Sequence, residues 1–166
     1  MEKLSYSVLE KLGDHIDTDV MTPGKYLSSF EPDYLASICL KDMYPGFSDR
    51  MKVGGFVVAG KNFGCGSSRE TAPIALKAAG TKAIIAEEFA RIFYRNAINI
   101  GLPCVACPGI ISCTDIGDQL ELNLQEGIVR NTTKNIVLEG TPIPSELNEM
   151  FEAGGLIEYL KKILQQ

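Results

Sequence analysis

The chain has 166 residues, of which 45% are hydrophobic and 22% charged, and its net charge is −5. That length supports one well-buried core, and the proportions are those of an ordinary soluble globular protein. The acidic balance, with no basic stripe, argues against nucleic acid as a partner, and no apolar run approaches the roughly 20 residues that span a bilayer. Met1 to Leu12 holds an opening strand expected to end at the Gly13-Asp14 turn. Its first residues carry no signal-like apolar segment, so a cytoplasmic protein is expected. Residues 13–30 are rich in Asp, Thr, Pro, Gly and Ser and read as an extended loop. A short helix is expected within residues 31–40, started at Pro32 or Asp33, and residues 45–52 read as a connection. Two strand–helix units follow, Val53 to Gly80 and Lys82 to Gly101, and an apolar strand from Pro103 to Cys107 closes this section.

The character then changes. Gln119 to Leu124 alternates with period two, as a half-exposed strand should. Residues 127–131 and 135–139 are short strands joined by polar turns. A helical stretch from Ser145 to Ala153 is broken by Gly154-Gly155, and Leu156 to Leu164 returns to helical spacing. No repeat or linker divides the chain, so residues 1–166 are expected to form a single domain. Periodicity alone makes it α/β with extra strands.

The most informative stretch is Gly60-Lys61-Asn62-Phe63-Gly64-Cys65-Gly66-Ser67-Ser68-Arg69-Glu70. A buried strand, Phe56-Val57-Val58-Ala59, delivers the chain into this glycine-spaced turn, and a short helix leaves it. Glycines let backbone approach a ligand and adopt positive φ. A helix start offers free N–H groups and a positive field to an anion. Arg69 adds a planar fork matched to a carboxylate or phosphate. Ser67 and Glu70 also have the spacing of a capping box, which would make Ser67 an ordinary N-cap. Pro73 would then fall at the sixth helical position, where it deletes a hydrogen bond and clashes with the preceding turn. A helix beginning at Thr71 avoids this and leaves Ser67, Ser68 and Arg69 in the turn, facing outward.

Five cysteines imply no disulfide framework in a cytosolic chain. Cys104 and Cys107 form a C-x-x-C pair with Cys113 nearby, which suggests a metal or cluster site. On a strand, however, residues three apart point to opposite faces, so these thiols are expected to be small buried side chains kept apart. No metal ligands are assigned. Asp17-Thr18-Asp19 can cap turns through side-chain bonds to nearby N–H groups. His15, the only histidine, reads as a loop residue.

The glycine loop resembles the active-site loop of the small, swivelling subunit of the isopropylmalate isomerase and homoaconitase group, in the aconitase superfamily of iron–sulfur hydro-lyases. Two further blocks agree and occur in the family's order. One is Gly13-Asp14-His15-Ile16-Asp17-Thr18-Asp19 with Pro23-Gly24-Lys25-Tyr26-Leu27, and the other runs from Ala83 to Asn96 and ends at Gly101-Leu102-Pro103. The resemblance implies the β/β/α swivelling-domain fold, and the order of predicted elements suits it. It implies Ser67 as the base, acting as an alkoxide, with Arg69 clamping a substrate carboxylate and Ser68 and Asn62 supporting the substrate. Gly64 and Gly66 would supply backbone donors, and Asp17, Thr18 and Asp19 would border the site. It also implies that the Lewis acid, a [4Fe–4S] cluster, is bound not by this chain but by a large partner subunit, in a heterodimer or heterotetramer.

In relatives the segment after Tyr-Leu reads the substrate's variable group and often carries an arginine or a threonine. Here it is Ser28-Ser29 followed by Phe30. The missing arginine weakens a third-carboxylate substrate such as homocitrate. The apolar neighbour favours a branched alkyl group, as in isopropylmalate, the leucine-synthesis intermediate, or a methylated malate such as 2,3-dimethylmalate. Two readings of other classes stand beside this one. One is a stand-alone anion-binding module, although the loop lacks both the P-loop ending and the dinucleotide glycine spacing. The other is a thiol or iron–sulfur redox protein using Cys104 and Cys107.

Overall fold

The computed structural model describes residues 3–166. The first two residues of the expected opening strand lie outside the described residues. β1 (Lys3–Lys11) leads into α1 (Thr18–Met21), a 3-10 turn (Gly24–Tyr26), α2 (Pro32–Ile38) and α3 (Phe47–Met51). The expected extended loop thus contains two single helical turns. Asp17 starts α1, its Oδ1 accepting from the Val20 N–H at 2.8 Å, and Met21 is fully buried. The polar residues that signal a loop also cap short helices, so composition could not separate the two. The connection at residues 45–52 holds α3 because Phe47 and Met51, one turn apart, both enter the core.

β2 (Gly55–Ala59), α4 (Thr71–Ala79), β3 (Thr81–Ala86), α5 (Arg91–Asn99) and β4 (Cys104–Ala106) are the two strand–helix units and the closing strand. β2 starts later than Val53, which is 80% exposed and precedes Gly54 at φ 80°. After α6 (Ile110–Cys113), a turn the sequence reading does not contain, come β5 (Gln119–Asn123), β6 (Ile128–Asn131) and β7 (Ile136–Glu139). A 3-10 turn (Ser145–Leu147), α7 (Asn148–Ala153) and α8 (Leu156–Leu164) end the chain.

The seven strands form one sheet in the order β4-β3-β2-β1-β5-β6-β7. β1 is the pivot, parallel to β2 and antiparallel to β5. Period-two alternation divides the parallel strands between two cores. Val57, Ala59, Ile84 and Ala86 pack under α1 to α5. Phe56, Val58, Ala83 and Ile85 pack on the other face with Leu120 and Leu122 of β5 and Met150 and Phe151 of α7. Burial on both faces is why β2 and β3 read as continuous apolar runs, whereas β5 alternates. No helix among the described residues is long and apolar enough to cross a membrane.

Cys104 belongs to the first core and Cys107 to the second, so the sheet separates the C-x-x-C thiols as the strand reading expects. Burial pushes the Cys107 thiol up to about 11, helped by Glu87 and Cys113, and pushes Cys39 and Cys104 up strongly. Such thiols carry almost no thiolate at neutral pH and react slowly. Cys65 and Cys113 are partly exposed. A soluble alkylating reagent at pH 7 is therefore expected to modify Cys65 and Cys113 and to spare Cys39, Cys104 and Cys107 until the protein unfolds. Peptide mapping by mass spectrometry checks this, and rapid native labelling of Cys104 or Cys107 would contradict their placement.

Candidate active site

Because β1 and β2 are parallel neighbours, the loops that follow them leave the same end of the sheet, where open α/β sheets bind ligands. Pairing continues past both strands. Leu12 N–H donates to the Val58 carbonyl at 2.8 Å, His15 N–H to Lys61 at 2.8 Å, Gly64 N–H to Ile16 at 2.8 Å and Thr18 N–H to Cys65 at 3.0 Å. The two loops are thereby held side by side, and residues far apart in the chain become neighbours. Phe63, Phe89 and Phe93 support the glycine loop from below, with the Phe63 ring edge-on to the other two.

Ser67, Arg69, Thr18, Asp19 and Thr22 form the centre. The Ser67 hydroxyl accepts from Arg69 Nε at 3.1 Å. Thr18, almost fully buried, donates its hydroxyl to the Ser67 carbonyl at 2.8 Å, and its Oγ1 is 3.2 Å from Ser67 Oγ. Arg69 Nη1 donates to the Thr22 carbonyl at 2.9 Å and pairs with Asp19 Oδ1 at 3.1 Å. Asp19 is mostly exposed, so this ion pair orients the guanidinium more than it stabilises the fold. Nη2 makes no hydrogen bond among the described residues and lies beside Gly24, 3.7 Å from where a Cβ on that glycine would stand. Thr22 ties the arrangement to α4, its Oγ1 lying 2.9 Å from Thr71 Oγ1.

α4 begins at Thr71 after Glu70, with Pro73 in its first turn. Ser67 is therefore not the cap of this helix, and both serines are exposed in the turn, as the position of Pro73 predicts. Ser68 makes no side-chain hydrogen bond among the described residues. Asp17 does cap a turn, that of α1, while Thr18 and Asp19 of the same tripeptide reach Ser67 and Arg69.

Other predicted residues lie differently. The Gly64 N–H is already bonded to Ile16, whereas the Gly66 N–H makes no backbone hydrogen bond among the described residues. Gly64 has a packing task instead: at φ 85°, an added Cβ would lie 2.2 Å from the Phe93 ring. Asn62, at φ 54°, pairs its amide with His15 Nδ1 at 3.2 Å. Ser28 donates to the Tyr34 hydroxyl at 2.9 Å, and Ser29 Oγ accepts from the Glu31 N–H at 3.2 Å, so both hydroxyls hold their own loop. A cavity of about 450 Å³ opens beside Arg69, lined by Leu27, Phe30, Leu35, Glu70, Thr71 and Ile74. Sequence reading anticipated Phe30 but missed Leu35, Ile74 and Thr22. Ile74 could have been found from its position one helical turn after Thr71, which faces Thr22. No group of three or more His, Cys, Asp or Glu among the described residues could hold a metal ion, and the cysteine pair divided by the sheet does not fit an iron–sulfur cluster.

Residues 46–108 match the model of the aconitase C-terminal domain. The chain is 52% identical, over 96% of both chains, to the 3-isopropylmalate dehydratase small subunit of Halothermothrix orenii. It is 50% identical to the isopropylmalate/citramalate isomerase small subunit of Methanocaldococcus jannaschii, over 92% of this chain and 90% of that one. Its fold matches the crystal structure of a 3-isopropylmalate dehydratase from the same archaeon with a TM-score of 0.88 and 42% identity, covering 98% of this chain and 96% of that one.

The packing of Gly64 gives a direct test of the loop. Gly64→Ala is expected to destabilise the protein by about 3 kcal/mol, through left-handed backbone strain and overpacking against Phe93. Chemical denaturation measures it, and wild-type stability in the variant would contradict the packing.

Proposed function

This chain belongs to the 3-isopropylmalate dehydratase small-subunit family of the aconitase superfamily, and on that premise we propose how its residues divide the work of dehydration and rehydration. It is the small subunit of a hydro-lyase that works with a large subunit. The proposed substrate is 2- or 3-isopropylmalate, with the chain acting over residues 1–166 as one swivel-type domain in the cytoplasm. The single observation that carries the substrate reading is the juxtaposition of a cation with an apolar cavity. Arg69 stands at the edge of a space lined by Leu27, Phe30, Leu35 and Ile74. A malate bearing a branched alkyl group carries a carboxylate and an apolar substituent on neighbouring carbons, the same two chemistries side by side. Among the described residues Arg69 has no second cation beside it in this lining, which disfavours a third carboxylate. The M. jannaschii relative's name makes citramalate the nearest alternative, with a methyl in place of the isopropyl group.

In this reading Ser67, ionised by loss of its proton to solvent, takes a proton from the substrate carbon beside the carboxylate. The C–H electron pair becomes the new double bond as hydroxide leaves the neighbouring carbon. Rehydration reverses these movements with the hydroxyl on the other carbon. Arg69 binds a substrate carboxylate through Nη2 and stabilises the Ser67 oxyanion through Nε, charge-assisted bonds about twice as strong as neutral ones. Ser68 and the Gly66 N–H supply further donors. Asp17 holds the turn that delivers Thr18 and Asp19. Ser28, Ser29 and Asn62 shape the walls of the site through Tyr34, the Glu31 N–H and His15, rather than gripping substrate first-hand. A [4Fe–4S] cluster on the large subunit would supply the Lewis acid for the departing hydroxyl. A partner covering this face, as a heterodimer or within a heterotetramer, accounts for Phe30, 72% exposed beside a catalytic arginine.

Two variants of the assembled two-subunit enzyme test the assignment. Ser67→Ala is expected to lower kcat by at least 1,000-fold with KM little changed, because proton abstraction occurs only in the chemical step. Loss of an N-cap alone would instead cost about 1 kcal/mol of stability and spare turnover. Arg69→Lys keeps charge but loses the fork, and kcat/KM is expected to fall about 100-fold or more. Steady-state kinetics on 3-isopropylmalate, citramalate, 2,3-dimethylmalate and homocitrate, with thermal melts on the same samples, read both effects and rank the substrates. Nearly full kcat in Ser67→Ala would remove Ser67 as the base.

A further inference from the structure

We propose that Thr18 is a hydroxyl switch that positions Ser67 when neutral and stabilises it when ionised, an inference that rests on Ser67 being the base. Thr18 is 2% exposed, and its backbone is fixed at both ends. Its N–H donates to the Cys65 carbonyl at 3.0 Å, and its own carbonyl accepts from the Thr22 N–H at 3.0 Å. Within this rigid frame the hydroxyl has two neighbours, the Ser67 carbonyl at 2.8 Å and Ser67 Oγ at 3.2 Å. It has one proton to give.

While Ser67 is neutral, the shorter contact takes that proton. Thr18 donates to the carbonyl, and its lone pairs are left to accept the Ser67 proton. The serine is then held between Arg69 Nε as donor and Thr18 as acceptor, with its proton pinned away from Arg69. Ionisation changes the balance. An alkoxide has no proton to offer, so an unrotated Thr18 would face it as one acceptor facing another. Turning the Thr18 hydroxyl moves a single hydrogen and converts the repulsion into a charge-assisted hydrogen bond, about twice as strong as the neutral bond given up.

The geometry makes the exchange cheap. The Ser67 carbonyl also accepts from the Arg69 N–H at 2.9 Å, so it is not orphaned when Thr18 turns away. The oxyanion then receives two side-chain donors from opposite strands' loops, Arg69 and Thr18. When Ser67 captures the substrate proton it becomes a hydroxyl again, and Thr18 returns to the carbonyl. Thr18 thus acts only through Ser67 and touches no substrate; it is a positioning residue.

The test uses the assembled enzyme with its best substrate from the panel. Thr18→Val keeps the shape and removes the hydroxyl; kcat is expected to fall about 100-fold with KM within threefold, in line with losing one oxyanion donor. Thr18→Ser restores the hydroxyl and is expected to recover kcat to within about threefold of wild type. Adding Thr18→Val to Ser67→Ala is expected to cause no further loss, since the switch has nothing left to act on. If Thr18→Val does not assemble with the large subunit, Thr18→Ala replaces it with the same expected kcat. Wild-type kcat in the hydroxyl-free variant, with Ser67→Ala inactive, overturns the switch and leaves the base assignment standing. Loss of kcat in Thr18→Ser equal to that in Thr18→Val also overturns it. Full activity in Ser67→Ala would instead remove the base on which the switch depends.

Discussion

Everything at the site depends on a backbone pairing that does not stop where the strands stop. β1 and β2 run parallel, and their ladder continues through the loops to the bonds from Gly64 N–H to Ile16 and from Thr18 N–H to Cys65. Loops normally carry exposed polar backbone and move independently. Here each loop satisfies the other's N–H groups, so the two segments share one geometry. That is what sets a threonine hydroxyl within 3.2 Å of a serine 49 residues away. It also explains why Gly64 cannot offer its amide to a ligand: that amide is part of the joint. The Phe63, Phe89 and Phe93 rings brace the joint from the core side, and the absence of a side chain at Gly64 lets Phe93 come close enough to do so.

Above the joint, Arg69 is oriented by three acceptors of different kinds: a hydroxyl, a carbonyl and a carboxylate. A guanidinium held by one partner could swing; one held at Nε and Nη1 has a fixed plane and a fixed free edge. The adjoining cavity is apolar except at its Arg69, Glu70 and Thr71 margin. A polar anchor beside an apolar space is how a site fixes the orientation of an amphipathic small molecule. The cavity is open, and Phe30 at its rim is uncovered. Under the proposed reading, the large subunit closes it and brings the electrophile that this chain's donor set does not supply.

Much of this was legible in the residues. The buried runs at Phe56–Ala59 and Ala83–Ala86, the alternation at Gln119–Asn123 and the glycine stops at Gly80 and Gly101 mark elements by local rules, and the structure places strands and helices there. Pro73 alone decided where α4 could begin, and so freed Ser67 from a capping role. The separation of Cys104 from Cys107 followed from strand geometry. The single-turn helices α1, α3 and α6 were not legible, because four or five residues carry too little periodicity and their capping residues look like turn residues. The order of residues places Ser28 and Ser29 after Tyr26-Leu27 but does not show that one hydroxyl donates to Tyr34 and the other accepts from the Glu31 N–H. A hydroxyl's partner is a matter of distance in space, which residue order does not contain.

The sequence by itself determined the family, the glycine-spaced loop and the identity of the groups in it, since a spacing of glycines, serines and an arginine after a buried strand is a local property of the chain. Tertiary structure decided which groups face one another. Thr18, Asp19 and Thr22 reach Ser67 and Arg69 only because β1 and β2 are adjacent and parallel, and Leu35 and Ile74 meet Leu27 only because α2 packs on α4. Local patterning is written in residues a few positions apart, where backbone sterics and hydrophobic periodicity act. A site assembled across 49 residues depends on strand order and register, and those are fixed by the burial of both faces of the whole sheet.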